Sequence, residues 1–474
     1  MVRSVLLVNT NVVRPPVSPI GLEYVGEALV EAGIPVSVLD MSFEPDWKAA
    51  LQKELRGIEP IIVGLTVRNT DDCSFASQRS FLPWLREIVT EVRKSTEAPV
   101  FLGGVGFSTL PEAVLMATQA DGGVEGDGEE AIVALASSLI KGEDITSLHN
   151  IVYWQGGHVV RNPRAEVDLR NFPVPRRRLF NNKRYLQLGA MVGVETKRGC
   201  SQNCIYCADP VAKGRKVRLR SPEIIVREFQ DLIEQGVTWF HLCDSEFNLP
   251  PGHAKDVCQA SIKAGLGDRI RWYSYCAPVP FDNELAHLMK RAGCGGINFG
   301  VDTLHDGQLH RMGRAHSVED VKQLVQMLDK EGINYIFDLL IGGPGETTET
   351  ARVTIDRVRE FGVPLAGVAI GVRVYPDTPL GKAVASGIIR VGLHPDRDES
   401  PAQPIFYLSP HLGDDAVSLI DHLVGDDKRF LLLAKPGEEG SYNYAGDELL
   451  SKLIERGARG AYWDILRQHL DDNI

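Results

Sequence analysis

The chain has 474 residues, with 51 Lys and Arg against 63 Asp and Glu, a formal net charge of −12. Hydrophobic residues make up 43% and charged residues 24%, which is ordinary globular usage with material for about two to four domains. The acidic balance excludes a general nucleic-acid binder, whose footprint is basic, and no apolar run reaches the roughly 18 residues of a membrane-spanning helix. The N-terminal run Val5–Val8 is too short for a secretory leader core. It reads as a first strand, and the expected compartment is the cytoplasm.

Residues 1–140 alternate strand-like and helix-like segments. Ser4–Asn9 is a short apolar run closing on polar residues, and Gly21–Ala32 carries apolar residues at helical spacing until Gly33 stops it. Pro35–Asp40, Ile61–Thr66 and Pro99–Gly104 follow as strands. Strands separated by helical patterns predict βαβ units and a parallel, Rossmann-like sheet. Ligands of such sheets sit beyond the carboxyl ends of the strands, which points to segments 9–20, 66–82, 103–109 and 125–129. Residues 141–190 read as a connector punctuated by Pro163, Pro173 and Pro175, with Arg176–Arg178 expected at the surface.

A second series starts at Met191, with strands expected at Val192–Thr196, Trp239–Cys243, Arg271–Tyr275, Gly296–Gly300, Tyr335–Ile341 and Leu365–Arg373. Six such units predict an α/β architecture with a partial (β/α)6 barrel over residues 191–394, its chemistry at the C-terminal strand ends. Residues 395–474 read as an α-rich cap or substrate region. Its aromatics Tyr442, Tyr444, Tyr462 and Trp463 are expected either to cap the barrel mouth or to pack in a core.

Eight cysteines in a chain this long are not a disulfide scaffold. Three of them, Cys200, Cys204 and Cys207, stand as Cys-x3-Cys-x2-Cys just after the first barrel strand. Soft thiolates suit iron–sulfur clusters and zinc. Zinc usually brings a fourth ligand in a matching pair, and no second Cys-x2-Cys or His-x3-His follows. Three ligands leave one metal open, as a cluster that binds a substrate requires; a zinc site and chance clustering are the competing readings. The other five cysteines read as small buried hydrophobes.

At these residues the chain resembles the radical S-adenosylmethionine (SAM) superfamily, over roughly residues 190–390. The resemblance implies that Cys200, Cys204 and Cys207 ligate a 4Fe–4S cluster whose fourth iron chelates the amino and carboxylate groups of SAM. Tyr206 matches the aromatic residue before the last cysteine. Gly300–Thr303 resembles the strand-four segment that touches SAM, with Asp302 where relatives usually carry Glu. Phe337–Thr347, containing Leu340 and Gly342, resembles the strand that backs the adenine. Leu242–Asn248, containing Asp244 and Glu246, resembles the strand-two end whose polar residues face SAM. Arg311 and Arg314 are either partners for the SAM carboxylate or solvated charges. His305, His310 and His316 read as surface or helix-cap residues rather than ligands.

Residues 1–140 resemble the cobalamin-binding domain of cobalamin-dependent radical SAM enzymes. That implies cofactor contacts at Thr66, Val67 and Arg68, at Gly103 and Gly104, and at Glu125 and Gly126. The alternative is an ordinary α/β scaffold with glycine turns. The stretch Asn9–Pro16 lacks the histidine of the Asp-x-His-x2-Gly cobalamin motif. Arg68 is similar to an arginine that lies under cobalt in an indole-methylating branch of the family. A guanidinium stays protonated and offers no lone pair.

Together these resemblances imply a C-methyltransferase using a 4Fe–4S cluster, SAM and cobalamin. The methyl group passes from SAM through methylcobalamin to a carbon centre, with an indole-like carbon among the candidates, by a radical or a polar route. Arg68, Tyr273, Tyr275 and Glu246 are the candidate catalytic residues, with Asp244 a further candidate base. The implied partners are a small-molecule substrate and an electron donor such as flavodoxin or ferredoxin. The alternative is a radical SAM enzyme of cyclisation, ring rearrangement or C–C coupling whose N-terminal domain does not methylate or lacks cobalamin. A non-catalytic sensor is the third reading, and the open cluster site argues against it.

Overall fold

The computed structural model describes residues 2–170, 173–395, 403–413, 415–434 and 447–471. Strands β1 (Val2–Asn9), β2 (Val36–Asp40), β3 (Ile58–Thr66), β4 (Val100–Gly103) and β5 (Gly122–Val124) are parallel, in the order β2-β1-β3-β4-β5. Helices cover both faces, so the central strands are apolar throughout. Leu6, Val8, Val63 and Leu65 pack on one side with Leu85 and Ile88. Val5, Leu7 and Ile62 pack on the other with Leu22, Leu29 and Leu135. The strand order reverses at β1 and β3, which opens a crevice at Asn9 and Thr66.

The segment expected as a connector does more than connect. β6 (Ile151–Gln155) and β7 (His158–Arg161) form a hairpin that extends this sheet in antiparallel fashion. Its two-residue turn is Gly156-Gly157, both with positive φ, the backbone that a tight hairpin requires.

Arg177 also departs from expectation. Its neighbours Arg176 and Arg178 are exposed, but Arg177 is fully buried. It donates to Glu23 Oε2 at 2.5 Å and to Glu228 Oε1 at 2.6 Å, and Arg220 meets Glu228 at 2.7 Å. Glu23 belongs to the helix Ile20–Glu31 and Glu228 to the helix Pro222–Glu234. Two guanidiniums and two carboxylates thus form a neutral buried quartet that joins the two halves of the molecule.

The second half begins with β8 (Val192–Val194), followed by the two-stranded ribbon β9 (Lys197–Arg198) and β10 (Arg218–Leu219). β11 (Trp239–Leu242), β12 (Arg271–Cys276), β13 (Cys294–Asp302), β14 (Tyr335–Ile341) and β15 (Ala366–Ile370) then continue the parallel barrel wall from β8. β16 (Val372–Arg373), β17 (Leu393–His394) and β18 (Phe406–Tyr407) make a small antiparallel sheet. β19 (Phe430–Leu432) adds a seventh parallel strand beside β15, so the region expected to be α-rich completes the barrel wall.

The helix Tyr462–Asp471 closes the barrel from below rather than capping its mouth. Trp463 lies against Gly296, where a Cβ would come within 2.7 Å of the indole. Trp463 and Ala461 share a core with Tyr273, Ile336 and Leu365, all near the N-terminal strand ends. Tyr442 and Tyr444 lie outside the described residues.

Candidate active site

One cavity of about 930 Å³ lies between the carboxyl ends of the two sheets. Thr66, Arg68, Gly103, Gly104 and Gly126 line it from the N-terminal half, and Cys200, Cys204, Cys207, Tyr206, Asp244, Glu246, Tyr273, Tyr275, Asp302 and Leu340 from the barrel. Most of the residues singled out in the sequence therefore share one space.

The cysteine loop is pinned from both sides. Gly199 has φ +95°, and a Cβ there would stand 2.2 Å from the Lys216 carbonyl oxygen, so the chain doubles back where only glycine fits. The Cys200 amide donates to Gly214 at 3.0 Å and the Ile205 amide to Met312 at 3.1 Å. Arg314 is not a solvated charge. It donates to Cys204 Sγ at 2.9 Å and to the Gly300 carbonyl, and it approaches Asp302 at 3.5 Å. Asp302 also accepts from the Tyr206 hydroxyl at 2.6 Å. Burial raises all three thiols, Cys200 to about 11, while the Arg314 guanidinium pulls Cys204 the other way.

Among the described residues no three His, Cys, Asp or Glu side chains converge as a single metal ion would need. Three soft thiols on one pinned loop, all facing the same cavity, fit an iron–sulfur cluster with an open iron. Glu246 lines the same space. Its Oε2 is buried without a hydrogen-bond partner among the described residues, and burial pushes its carboxyl up to about 7 despite Arg314 nearby.

Other expected contacts have different roles. Asp244 lines the cavity, but its carboxylate is taken up within the barrel. It accepts from the Thr196 amide at 2.8 Å, from the Thr196 hydroxyl, and from Lys197 Nζ at 3.1 Å. Tyr273 donates its hydroxyl to Asp464 at 2.8 Å, which ties it to the floor helix. Gly342 stands behind the wall, its amide donating to Glu346 Oε2 at 2.6 Å. His305 caps the helix Asp306–Arg311 as expected, and His310 and Arg311 are exposed. His316 is buried against the Val301 carbonyl at 3.2 Å.

On the N-terminal wall, Gly104 has φ +103°, and a Cβ there would meet the Val67 carbonyl oxygen at 2.8 Å. Only glycine lets the turn after β4 press against the loop after β3. Val67 is itself buried behind the wall, its amide donating to Gly103 at 2.6 Å. Glu125 is also withdrawn, paired with Arg161 at 2.7 Å. The acidic residues that follow it face the barrel: Asp127 and Glu129 each meet Arg198 at 2.9 Å. This turn therefore works mainly as an interdomain clamp.

Arg68 lines the cavity with no hydrogen-bond or ion-pair partner among the described residues. Its loop is held from the barrel by Arg373, which meets Asp71 at 2.8 Å, and by Phe75, whose ring covers Gly371.

Among the wall residues that escaped the sequence reading are His241, Asn298, Asp338 and Arg373. Three of them carry an alternation signal. His241 shares a strand face with Cys243, Asn298 with Gly300 and Asp302, and Asp338 with Leu340. Burial lowers His241 to about 4, so its ring is neutral near pH 7. Arg373 carries no such signal, because its partner lies 302 residues away.

Comparison with known proteins agrees with this geometry. Residues 194–358 match the radical SAM superfamily and residues 6–136 the B12 binding domain. Tryptophan 2-C-methyltransferase of Streptomyces laurentii is 29% identical, over 97% of this chain and 95% of that protein. The structure of the radical S-adenosylmethionine methyltransferase TsrM from Kitasatospora setae, with tryptophan substrate and a SAM analogue bound, matches with a TM-score of 0.92. It shares 32% identity, and 99% of each chain is covered. A second TsrM structure, with cobalamin and a [4Fe–4S] cluster bound, matches with a TM-score of 0.91 at 31% identity. With a B12 binding domain, a radical SAM domain and a shared architecture end to end, this chain belongs to the TsrM family of radical SAM methyltransferases.

Proposed function

We propose that this enzyme transfers a methyl group from SAM to the indole C2 carbon of tryptophan. The observation that carries this reading is the unpaired Arg68 on one cavity wall, facing the space shared with the three-cysteine loop, in a chain matching TsrM over its whole length. Cys200, Cys204 and Cys207 would hold the cluster. Tyr206, Glu246, Asp302 and Leu340 would surround SAM. Thr66, Arg68, Gly103, Gly104 and Gly126 would receive cobalamin.

When bound, these groups supply the methyl donor, its carrier and an open iron that orients SAM. The chain's own residues do the rest. Arg68 offers no lone pair, so it would meet a bound cobalamin as a charge and not as a metal ligand. Arg314 holds Cys204 and Asp302 in one arrangement, which fixes the cluster loop relative to β13. Glu246 and Tyr275 line the wall as the proton acceptors of this reading, and Tyr273 donates its hydroxyl to Asp464. A one-electron donor of the flavodoxin or ferredoxin kind would reduce the bound groups. No helix among the described residues is long and apolar enough to cross a membrane, and we place the enzyme in the cytoplasm.

The test is anaerobic turnover of the reconstituted enzyme with methyl-labelled SAM and tryptophan. Label in 2-methyltryptophan with S-adenosylhomocysteine supports the reading. Tight cobalamin binding without transfer of label to any indole overturns the substrate.

A further inference from the structure

Asp338 lies on the inward face of β14, two residues before Leu340, and opens onto the cavity. Its Oδ2 accepts from Asn298 Nδ2 at 3.2 Å. That orientation follows from chemistry. Asn298 Oδ1 accepts the indole N–H of Trp463 at 2.7 Å, a group that only donates, so the amide nitrogen is left for Asp338. The floor helix thus positions this carboxylate through one amide.

The carboxylate has no cation. Several buried carboxylates elsewhere in this chain meet one: Glu23 meets Arg177, Asp71 meets Arg373, Asp127 meets Arg218 and Asp244 meets Lys197; Glu246 and Glu346, like Asp338, form no ion pair among the described residues. Among the described residues Asp338 forms no ion pair. The one charged group that acts on it is another carboxylate, Asp302, and burial pushes it up to about 7. His241, which lines the same cavity, is neutral near pH 7. Asp338 is half-buried in the cavity wall, and a carboxylate recessed there without a counter-charge is held at a cost that a cationic ligand relieves.

We propose that Asp338 is the subsite for the protonated primary amine of the substrate, which sits within an aromatic-lined barrel beside Tyr275. The proposal rests on the tryptophan reading and names the residue that reads the amine. SAM also carries cationic groups, but Asp302, Glu246 and Arg314 gather beside the cysteines. Asp338 is instead linked to the floor through Asn298.

The test is equilibrium dialysis with the reconstituted holoenzyme and matched pairs that differ only in the amine: tryptophan and indole-3-propionate, tryptamine and 3-ethylindole, tyramine and 4-ethylphenol. Wild type is expected to prefer the amine by about tenfold or more, the usual worth of a charged hydrogen bond. D338N should abolish the preference while leaving SAM affinity unchanged, and D338E should restore part of it. Retention of the preference in D338N overturns the proposal, as does its absence from wild type in every pair. An equal loss of SAM affinity in D338N also overturns it, since the carboxylate would then serve SAM. If only the non-indole pair binds and behaves as expected, the tryptophan reading fails and the Asp338 subsite stands.

Discussion

Arg373 of the barrel and Asp71 of the N-terminal half form a buried 2.8 Å ion pair that anchors the loop bearing Arg68. Among the described residues Arg68 has no such partner of its own, so its placement depends on this pair three residues further along the loop. Removing one member leaves the other charge buried and uncompensated, which costs about 3–5 kcal/mol. R373M is therefore expected to weaken cobalamin binding, read by titration of the corrin spectrum, with the cluster absorption retained. The Arg373 guanidinium holds Asp71 below the ordinary carboxylate range of about 3.8, although burial opposes it. Its stabilisation is present above that value and is lost as the pH falls through the depressed one.

The quartet of Glu23, Arg177, Arg220 and Glu228 sets how the two halves meet. E228Q removes a charge from a balanced set and strands the Arg220 guanidinium, while Arg177 keeps Glu23. The expected loss is about 3–5 kcal/mol, seen as a lower denaturation midpoint. The double variant E228Q/R220M, which restores neutrality and leaves the Glu23–Arg177 pair in place, should recover part of it. Additive losses would show that the charges act independently.

The cysteines divide by place. C200A, C204A and C207A should each abolish the visible absorption of the reconstituted cluster and most bound iron. C258A removes a thiol that is 1% exposed within the barrel core, so it should leave iron content unchanged and cost about 1 kcal/mol or less of stability.

Glu246 gives a pH signature in the cofactor-free protein. Its carboxyl is raised from 4.5 to about 7 by burial. The folded state then binds more protons than the unfolded state between those values, so stability falls as the pH rises through that window. E246Q should flatten part of this slope in chemical denaturation between pH 4.5 and 7. Asp338 and Glu346, which burial raises in the same way, add to this slope, and His241 and His316, which burial lowers to about 4, oppose it. An unchanged slope would mean that Glu246 is ionised and stabilised by solvent.

Much of this was legible in the sequence where the signal is local. The strands Ser4–Asn9 and Tyr335–Ile341 announce themselves by apolar runs, and Cys200, Cys204 and Cys207 by spacing alone. The pairing of distant charges was not legible. Arg177 sits in an Arg-Arg-Arg run that reads as surface, and only the approach of Glu23 and Glu228 makes it the middle of a core. Asp244 and Glu125 stand where motifs place ligands, yet Lys197 and Arg161 take their charge. β19 is three residues long, too short for any period to register, and it becomes a strand because the edge of β15 needs a partner.

The Trp463 plug sets the depth of the catalytic chamber independently of its entrance. The walls are built from loops at the top, whereas the bottom is closed by the indole of Trp463 seated on Gly296, with Ala461 and Tyr462 beside it. A smaller residue at 463 would lengthen the chamber without altering the cluster loop or the Arg68 wall. The size of molecule that this chamber admits is thus set by the helix that carries Trp463, separately from the loops that present the three cysteines and Arg68.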